Sequence, residues 1–406
     1  MPIDIQAQIP TYVRDILDVL HRNGKQGYLV GGSLRDLLRG VEPHDFDLTT
    51  NATPDEMLDI FKNFRVIPTG LAHGTLTVLS NGDPVEITTH RTDGTYTDSR
   101  HPDSVSFTTD LAEDLARRDF TVNAMAWSAQ TGLVDLFGGQ RDLSLGLLRA
   151  VGDPVKRFSE DALRILRCFR FAAQLDFTVE AETAKGAAAC AARLCDIAVE
   201  RIFAELERTV IGVAAARGLS QMRDAGCLPF VFFDSMPDLS HLNRLSDLPA
   251  QAPLRMAALL HHETPEALAA LAKRWHASNA FLSSVCAYVG ALGEKTPETP
   301  YEARRFVCRH FPYFEGALQL RAVLLGEDTA PALSLSRAVL KDGTAVELRR
   351  LAVNGKELQN AVSVRPEKTA ALLTRLQDLV WQEPKANRRD TLLAHARRIC
   401  EKENWL

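Results

Sequence analysis

Apolar and polar positions alternate with two different periods along this chain, and the period changes about a third of the way through. In IPTYVRDILDVLHRNGK, Val13, Ile16, Leu17 and Leu20 recur three and four residues apart and stop at Asn23-Gly24, which predicts an amphipathic helix ended by a turn. GYLVGG then predicts a short buried strand, and SLRDLLRG a brief helix capped by Ser33 and stopped at Gly40. HDFDLTT alternates residue by residue, a strand pattern with Asp45, Asp47 and Thr49 on one face and Phe46 and Leu48 on the other. TPDEMLDIF predicts a helix with Thr53 as cap, Pro54 in its first turn and Glu56 completing a capping box. Two further alternating runs flank Asn81-Gly82 and predict a hairpin, with Glu86 in the middle of its second strand between Val85 and Ile87. From about residue 156 onward the pattern is helical and alanine-rich, with proline clusters near 233–253 and 293–300 that predict joints between helical parts. The fold class expected is α+β, a part that mixes strands and helices followed by helices alone.

Length and charge narrow the picture. A chain of 406 residues exceeds what one core supports, so two to four domains are expected. The formal net charge of -5 excludes a globally basic nucleic-acid binder, so any RNA contact has to come from a local patch. The most basic stretches are ARRFVCRH, with Arg304 and Arg305, and KANRRDTLLAHARR, with Arg388 and Arg389, although both read equally as solvated helix faces. Seven cysteines without a CxxC pair read as reduced thiols. An acidic rather than basic N-terminus, and no apolar run near the roughly 20 residues of a membrane span, predict a soluble cytoplasmic protein. His261, His262 and Glu263 lack a further ligand at suitable spacing and predict no metal site.

Candidate chemistry concentrates in the first half. Gly31 and Gly32, between a strand and a helix N-terminus, let an anion approach the backbone, and Arg35 sits one turn in. The spacing matches neither a P-loop nor a dinucleotide fingerprint, and a Gly-Gly strand exit is commonly a plain turn. Asp45 and Asp47, two strand residues apart, either are solvated acids or hold Mg²⁺, which needs only one or two carboxylates when substrate phosphates complete its shell. Two such ions activate an attacking hydroxyl and stabilise a leaving pyrophosphate. Glu86 is the best third carboxylate. In EDALRILRCFRF, helical spacing puts Glu160, Asp161, Arg164 and Arg167 on one face, either as a salt-bridge ladder or as an edge that reads bases. Asp only accepts and Arg only donates, a pair that matches the amino group and ring nitrogen of both cytosine and adenine, and rejects the carbonyl that guanine and uracil present instead.

In the same order, LVGGSLRDLLRG…HDFDLTT, VEITTHR, LARRDFTVNAMAW and RFSEDALRILRCFRFAAQLDF resemble the motifs of the bacterial tRNA nucleotidyltransferase and poly(A) polymerase family, the class II CCA-adding enzymes of Gram-positive type. The resemblance covers about 28–180 and returns weakly at 351–358. It implies a nucleotidyltransferase head built on a mixed β-sheet (1–148), a helical neck that recognises the base (149–212), a helical body (213–300) and a helical tail that binds tRNA (301–406). It further implies addition of C, C and A to tRNA 3′ ends from CTP and ATP without a nucleic-acid template, with Mg²⁺ on Asp45 and Asp47 and Glu86 as third catalytic acid. Asp161 and Arg164 would be the protein template, with Glu160 beside them and Arg167 and Arg170 near the triphosphate or holding the pair. Arg117 and Arg118 would contact the nucleotide, and Asp119 and Asn123 its sugar or the local scaffold. The polar segment 89–107 would be the flexible loop that accompanies the change from CTP to ATP, and its full length favours complete CCA addition. The tRNA would be held by its acceptor end and elbow, by a monomer or a homodimer. A poly(A) polymerase or a partial CC- or A-adding enzyme shares these motifs, and an RNA-binding protein on an inactivated transferase scaffold is the non-enzyme alternative.

Overall fold

The computed structural model describes residues 4–94, 105–345 and 347–405. The centre of the polar 89–107 loop, 95–104, lies outside them, as does any conclusion about its role. The chain divides into two compact units, Met1–Met236 with Lys273–His276, and Pro237–Ala272 with Ala277–Leu406. The boundary falls inside the proline-rich joint expected near 233–253.

The first unit opens with α1 (Ile5–Gln8) and α2 (Thr11–Arg22), and α2 buries Val13, Ile16 and Leu20 as its periodicity requires. There follow β1 (Gly27–Val30), α3 (Gly31–Leu38), β2 (Asp47–Thr50), α4 (Pro54–Ile60), β3 (Arg65–Gly70), β4 (Thr75–Ser80) and β5 (Asp83–Thr89). After the short pair β6 (Arg91–Asp93) and β7 (Val105–Phe107) come α5 (Leu111–Ala116), β8 (Met125–Ser128), β9 (Gly132–Asp135) and α6 (Gly139–Ser144). Seven strands form one sheet in the order β3-β4-β5-β2-β1-β8-β9. β2 and β5 run parallel and the other neighbours antiparallel, so the sheet is mixed as expected. Leu29, Phe46, Leu48, Leu76, Val78, Val85 and Ile87 join the buried face of α2 in the core beneath it. The β4–β5 turn is the predicted one, with positive φ at both Asn81 (56°) and Gly82 (97°). Thr53 and Glu56 close the predicted capping box on α4.

Two local expectations are corrected. Ser33 does not cap α3: the helix begins at Gly31, and the buried Ser33 hydroxyl donates back to the Val30 carbonyl at 2.9 Å. Asp45 is not a strand residue. It sits exposed in the bend before β2, while Asp47 opens the strand itself.

Beyond a two-residue pairing of β10 (Leu147–Leu148) with β11 (Thr178–Val179), the remainder of the unit is helical. It contains α7 (Pro154–Glu160), α8 (Leu163–Leu175), α9 (Ala181–Cys190), α10 (Val199–Val210), α11 (Ala215–Asp224) and α12 (Leu228–Phe232). α8 packs against α7, α10 and α11 and buries eleven of its thirteen residues, arginines 164 and 170 among them. The predicted single helix through Asp161 is therefore two. The second unit is built of helices, with Leu358, Leu372, Leu376, Val380, Leu392 and Ala396 forming the core of its C-terminal part. All seven cysteines are free. Among the described residues no helix is long and apolar enough to cross a membrane.

Candidate functional site

A cavity of about 530 Å³ opens in the first unit, and most of the residues singled out from sequence line it. At one end stand Asp45 and Asp47, beside the start of α3. Gly31 has φ +71°, and a Cβ there would lie 3.5 Å from Arg118 Nη1 and 3.8 Å from Asp47 Oδ2. Glycine thus serves the left-handed backbone conformation, since a Cβ would make only ordinary contacts with this wall. Burial, and then the negative charges of Asp45 and Glu86, push the Asp47 carboxyl up to about 6 against the opposing pull of Arg118. A site that holds carboxylates together against their repulsion favours a cation between them.

Glu86 stands beside Asp47 in register on the parallel strand β5, yet it is solvent-exposed and does not line the cavity. Among the described residues, no three His, Cys, Asp or Glu side chains converge as metal ligands. The geometry offers two carboxylates with a third nearby. That set fits a divalent ion that keeps waters and takes its remaining ligands from substrate phosphates, and does not fit an all-protein cage.

The middle of the cavity is lined by Arg35, Arg117, Arg118, Asp119 and Asn123. Asp114, fully buried on α5, anchors Arg117 at 2.7 Å and Arg118 at 3.1 Å. Its burial pushes the carboxyl up, and the two guanidiniums, Arg118 first, more than reverse this and hold it at about 2. Arg35 grips Asp36 with Nε and Nη2, both at 2.9 Å, and donates from Nη1 to Asn123 Oδ1 at 2.9 Å. Asn123 Nδ2 donates to Asp119 Oδ1 at 3.2 Å, and Asp119 Oδ2 accepts from Arg167 Nε at 2.9 Å and Nη2 at 2.6 Å. Burial raises the Asp119 carboxyl and Arg167 more than compensates, holding it at about 2. A continuous chain of hydrogen bonds, Arg35–Asn123–Asp119–Arg167, therefore ties the last turn of α3 to α8.

The opposite end is made by the break between α7 and α8. α7 stops at Glu160, and Asp161 turns to extended backbone, its Oδ1 accepting the Leu163 N–H at 2.9 Å. This is a local Asx turn just ahead of α8, whose N-cap is Ala162, and Asp before an apolar-periodic segment was the signal that could have located the break. Arg164 donates from Nη1 to Glu160 Oε2 at 2.7 Å and to the Arg157 carbonyl at 3.1 Å. Glu160 also holds Arg157 at 2.8 Å and stays out of the cavity wall, so it props Arg164 from behind. Arg170 lines the cavity while pairing with buried Glu205 on α10.

The cavity wall also includes Leu163, Phe171 and Arg201, which sequence reasoning missed. Arg201 arrives from α10, with Nη2 3.7 Å from Asp161 Oδ2 and Nη1 buried without a hydrogen-bond partner. Its placement depends on packing across forty residues, for which the local pattern carries no signal.

The arginines proposed for RNA lie in the second unit and differ in availability. Arg304 donates to the Trp381 carbonyl at 2.6 Å and is a link between helices. Arg305 lies over the Tyr301 ring at 5.8 Å, and exposed Arg389 pairs with Glu357 at 3.2 Å. Arg388 is exposed at the N-cap of the last helix. His261 faces the Ala258 carbonyl at 3.0 Å and Asp238 at 3.6 Å, and among the described residues no three His, Cys, Asp or Glu side chains gather there as ligands.

Residues 27–149 match the family model described as the Poly A polymerase head domain. Residues 176–242 match one described as a probable RNA and SrmB-binding site of polymerase A, a region distinct from the basic stretches considered above. The chain is 34% identical over 418 residues to the CCA-adding enzyme of Lactiplantibacillus plantarum, covering 100% of this chain and 98% of that protein. It is 33% identical to the CCA-adding enzyme of Enterococcus faecalis, across 96% and 97% of the two. The crystal structure of the Bacillus stearothermophilus CCA-adding enzyme in complex with CTP superposes with a TM-score of 0.81 at 28% identity, covering 97% of this chain and all of that one.

Proposed function

The chain belongs to the CCA-adding enzyme family, and on that premise we propose that it adds C, C and A to the 3′ end of tRNA from CTP and ATP, releasing pyrophosphate, with no nucleic-acid template. The observation that carries this reading is the meeting of two functions in one cavity. Asp45 and Asp47 line it together with the acceptor Asp161 and the donor Arg164.

Asp45 and Asp47 hold the divalent ion, Mg²⁺ in this reading, with Glu86 adding negative potential from the adjacent strand. When bound, it supplies Lewis-acid activation of the tRNA 3′-hydroxyl and charge stabilisation of the α-phosphate and leaving pyrophosphate. The amides at the start of α3, opened by Gly31 and Gly32, seat phosphate oxygens. Arg117 and Arg118, fixed by Asp114, and Arg167, fixed by Asp119, present a positive wall to the triphosphate. Asp119 and Asn123, already bonded to each other, hold the arginine network and stand where a ribose hydroxyl can join it. Asp161 accepts the exocyclic amino group that cytosine and adenine share, and Arg164 donates to the neighbouring ring nitrogen. Glu160 and the Arg157 carbonyl fix the Arg164 guanidinium in one orientation, which makes the edge selective. The four-part division into 1–148, 149–212, 213–300 and 301–406 remains part of this reading, with Arg305, Arg388 and Arg389 as tRNA backbone contacts. Arg304, whose guanidinium is turned to Trp381, is withdrawn from that set.

The test uses tRNAs ending before CCA, after C and after CC, each with one nucleotide at a time, and products resolved to single residues. The expected result is CTP incorporation on the first two and ATP incorporation on the third only. Repeated ATP addition on all three would identify a poly(A) polymerase, and activity on some ends alone a partial enzyme.

A further inference from the structure

One aromatic ring in the cavity wall meets three guanidiniums. Phe171 lies on α8, is 7% exposed and lines the cavity. Over its ring stand the Cζ atoms of Arg170 at 3.9 Å, Arg35 at 5.2 Å and Arg167 at 5.4 Å from the centroid. Fully buried Phe120 meets it edge-on, with centroids 5.8 Å apart and planes at 83°, which fixes the plane of the ring. Each guanidinium is also held at its edge by polar partners: Asp36 and Asn123 for Arg35, Asp119 for Arg167, Glu205 and Gln174 for Arg170. Those partners come from four different segments and leave the spacing of the three cations unspecified. Three like charges in a partly desolvated cavity repel one another, whereas the face of an aromatic ring is negative and attracts each of them.

Resting on the reading that this cavity takes a nucleoside triphosphate, we propose that Phe171 is a positioning residue for the polyphosphate chain. Its π face gathers Arg35, Arg167 and Arg170 into one cationic wall before the nucleotide arrives. Phe171 touches no reacting atom and acts through the arginines. It therefore affects CTP, ATP and bare tripolyphosphate alike and leaves base choice alone.

The experiment replaces Phe171 in the full-length protein by mono-, di- and trifluorophenylalanine, which drain the negative face of the ring at nearly constant shape, and adds Phe171→Leu, which removes the face. The readouts are inhibition of CTP incorporation by tripolyphosphate, KM and kcat for CTP, and the preference for CTP over UTP. The inhibition constant and KM are expected to rise stepwise with fluorination, reaching about tenfold in the trifluoro form and at least that in Phe171→Leu. kcat and the CTP preference are expected to stay at wild-type values. A flat fluorination series, in a protein whose unsubstituted form binds tripolyphosphate, would overturn the role of Phe171 and leave the transferase reading standing. An unsubstituted protein that binds neither CTP nor tripolyphosphate would remove the reading on which the proposal rests.

Discussion

Around Asp45 and Asp47 the carboxylates crowd one another with Arg118 as the opposing cation, whereas at the base-reading end Arg164 already grips Glu160 and Asp161 already accepts the Leu163 N–H. The first end favours an added cation, because burial first, and then the charges of Asp45 and Glu86, lift the Asp47 carboxyl to about 6. The second has its donor oriented in advance, the Arg164 guanidinium being fixed by Glu160 and the Arg157 carbonyl. Chemistry needs a place where added charge is strongly favoured. Selection needs donors whose geometry does not relax around the wrong base.

The largest expected effect breaks the first end. Asp47→Asn removes one charge of the repelling pair, and CTP incorporation is expected to fall by about a thousandfold or more. Because the substitution relieves repulsion, the thermal midpoint of the metal-free protein is expected to stay equal or rise, as scanning calorimetry measures. A fall in stability would show that the carboxylates are structural.

Next comes the support of the arginine wall. Asp114→Asn leaves Arg117 and Arg118 without their buried partner and is expected to cost about 3 kcal/mol in urea unfolding at pH 7. The folded Asp114 carboxyl lies at about 2, below its ordinary value near 4, so its contribution is fully present above about pH 4 and disappears as pH falls towards 2. The gap between wild type and variant should close across that window, and a gap that persists at pH 2 would contradict the assignment.

At the selecting end, Arg164→Ala is expected to lower the preference for CTP over UTP roughly 10- to 100-fold, the range for loss of one base-edge donor pair. Incorporation competition with both nucleotides measures it. The smallest effect belongs to the second unit. The Arg388→Ala, Arg389→Ala double variant is expected to weaken tRNA binding a few-fold and to reduce its logarithmic salt slope by about two. Nucleotide KM should not change.

How much of this was legible beforehand followed the range of the interaction that decides each feature. The Asn81-Gly82 hairpin, the Thr53 capping box and the buried Phe46 and Leu48 flanking Asp47 follow from residues within a few positions of one another, and all were readable. The break at Asp161 was equally local, but the unbroken spacing of arginines at 164, 167 and 170 suggested one helix and outweighed the turn signal. The partners of those arginines were out of reach. Glu205 lies 35 residues from Arg170 and Asp119 lies 48 from Arg167, and only the packing of α8 against α10 and the sheet-bearing part brings them together. The same applies to Arg201 and Phe171, which no spacing in the chain marks as parts of the cavity wall. Arg304 illustrates the converse, since its neighbours read as a basic patch while tertiary structure turns the guanidinium inward to Trp381.

The central claim is that one cavity carries two separable functions, transfer at one end and base choice at the other. The most direct measurement is equilibrium binding of CTP and of UTP to the Asp45→Ala, Asp47→Ala double variant, alongside a tRNA incorporation assay. The account predicts no incorporation together with an undiminished preference for CTP. A double variant that lost the preference, or that still extended tRNA, would contradict it.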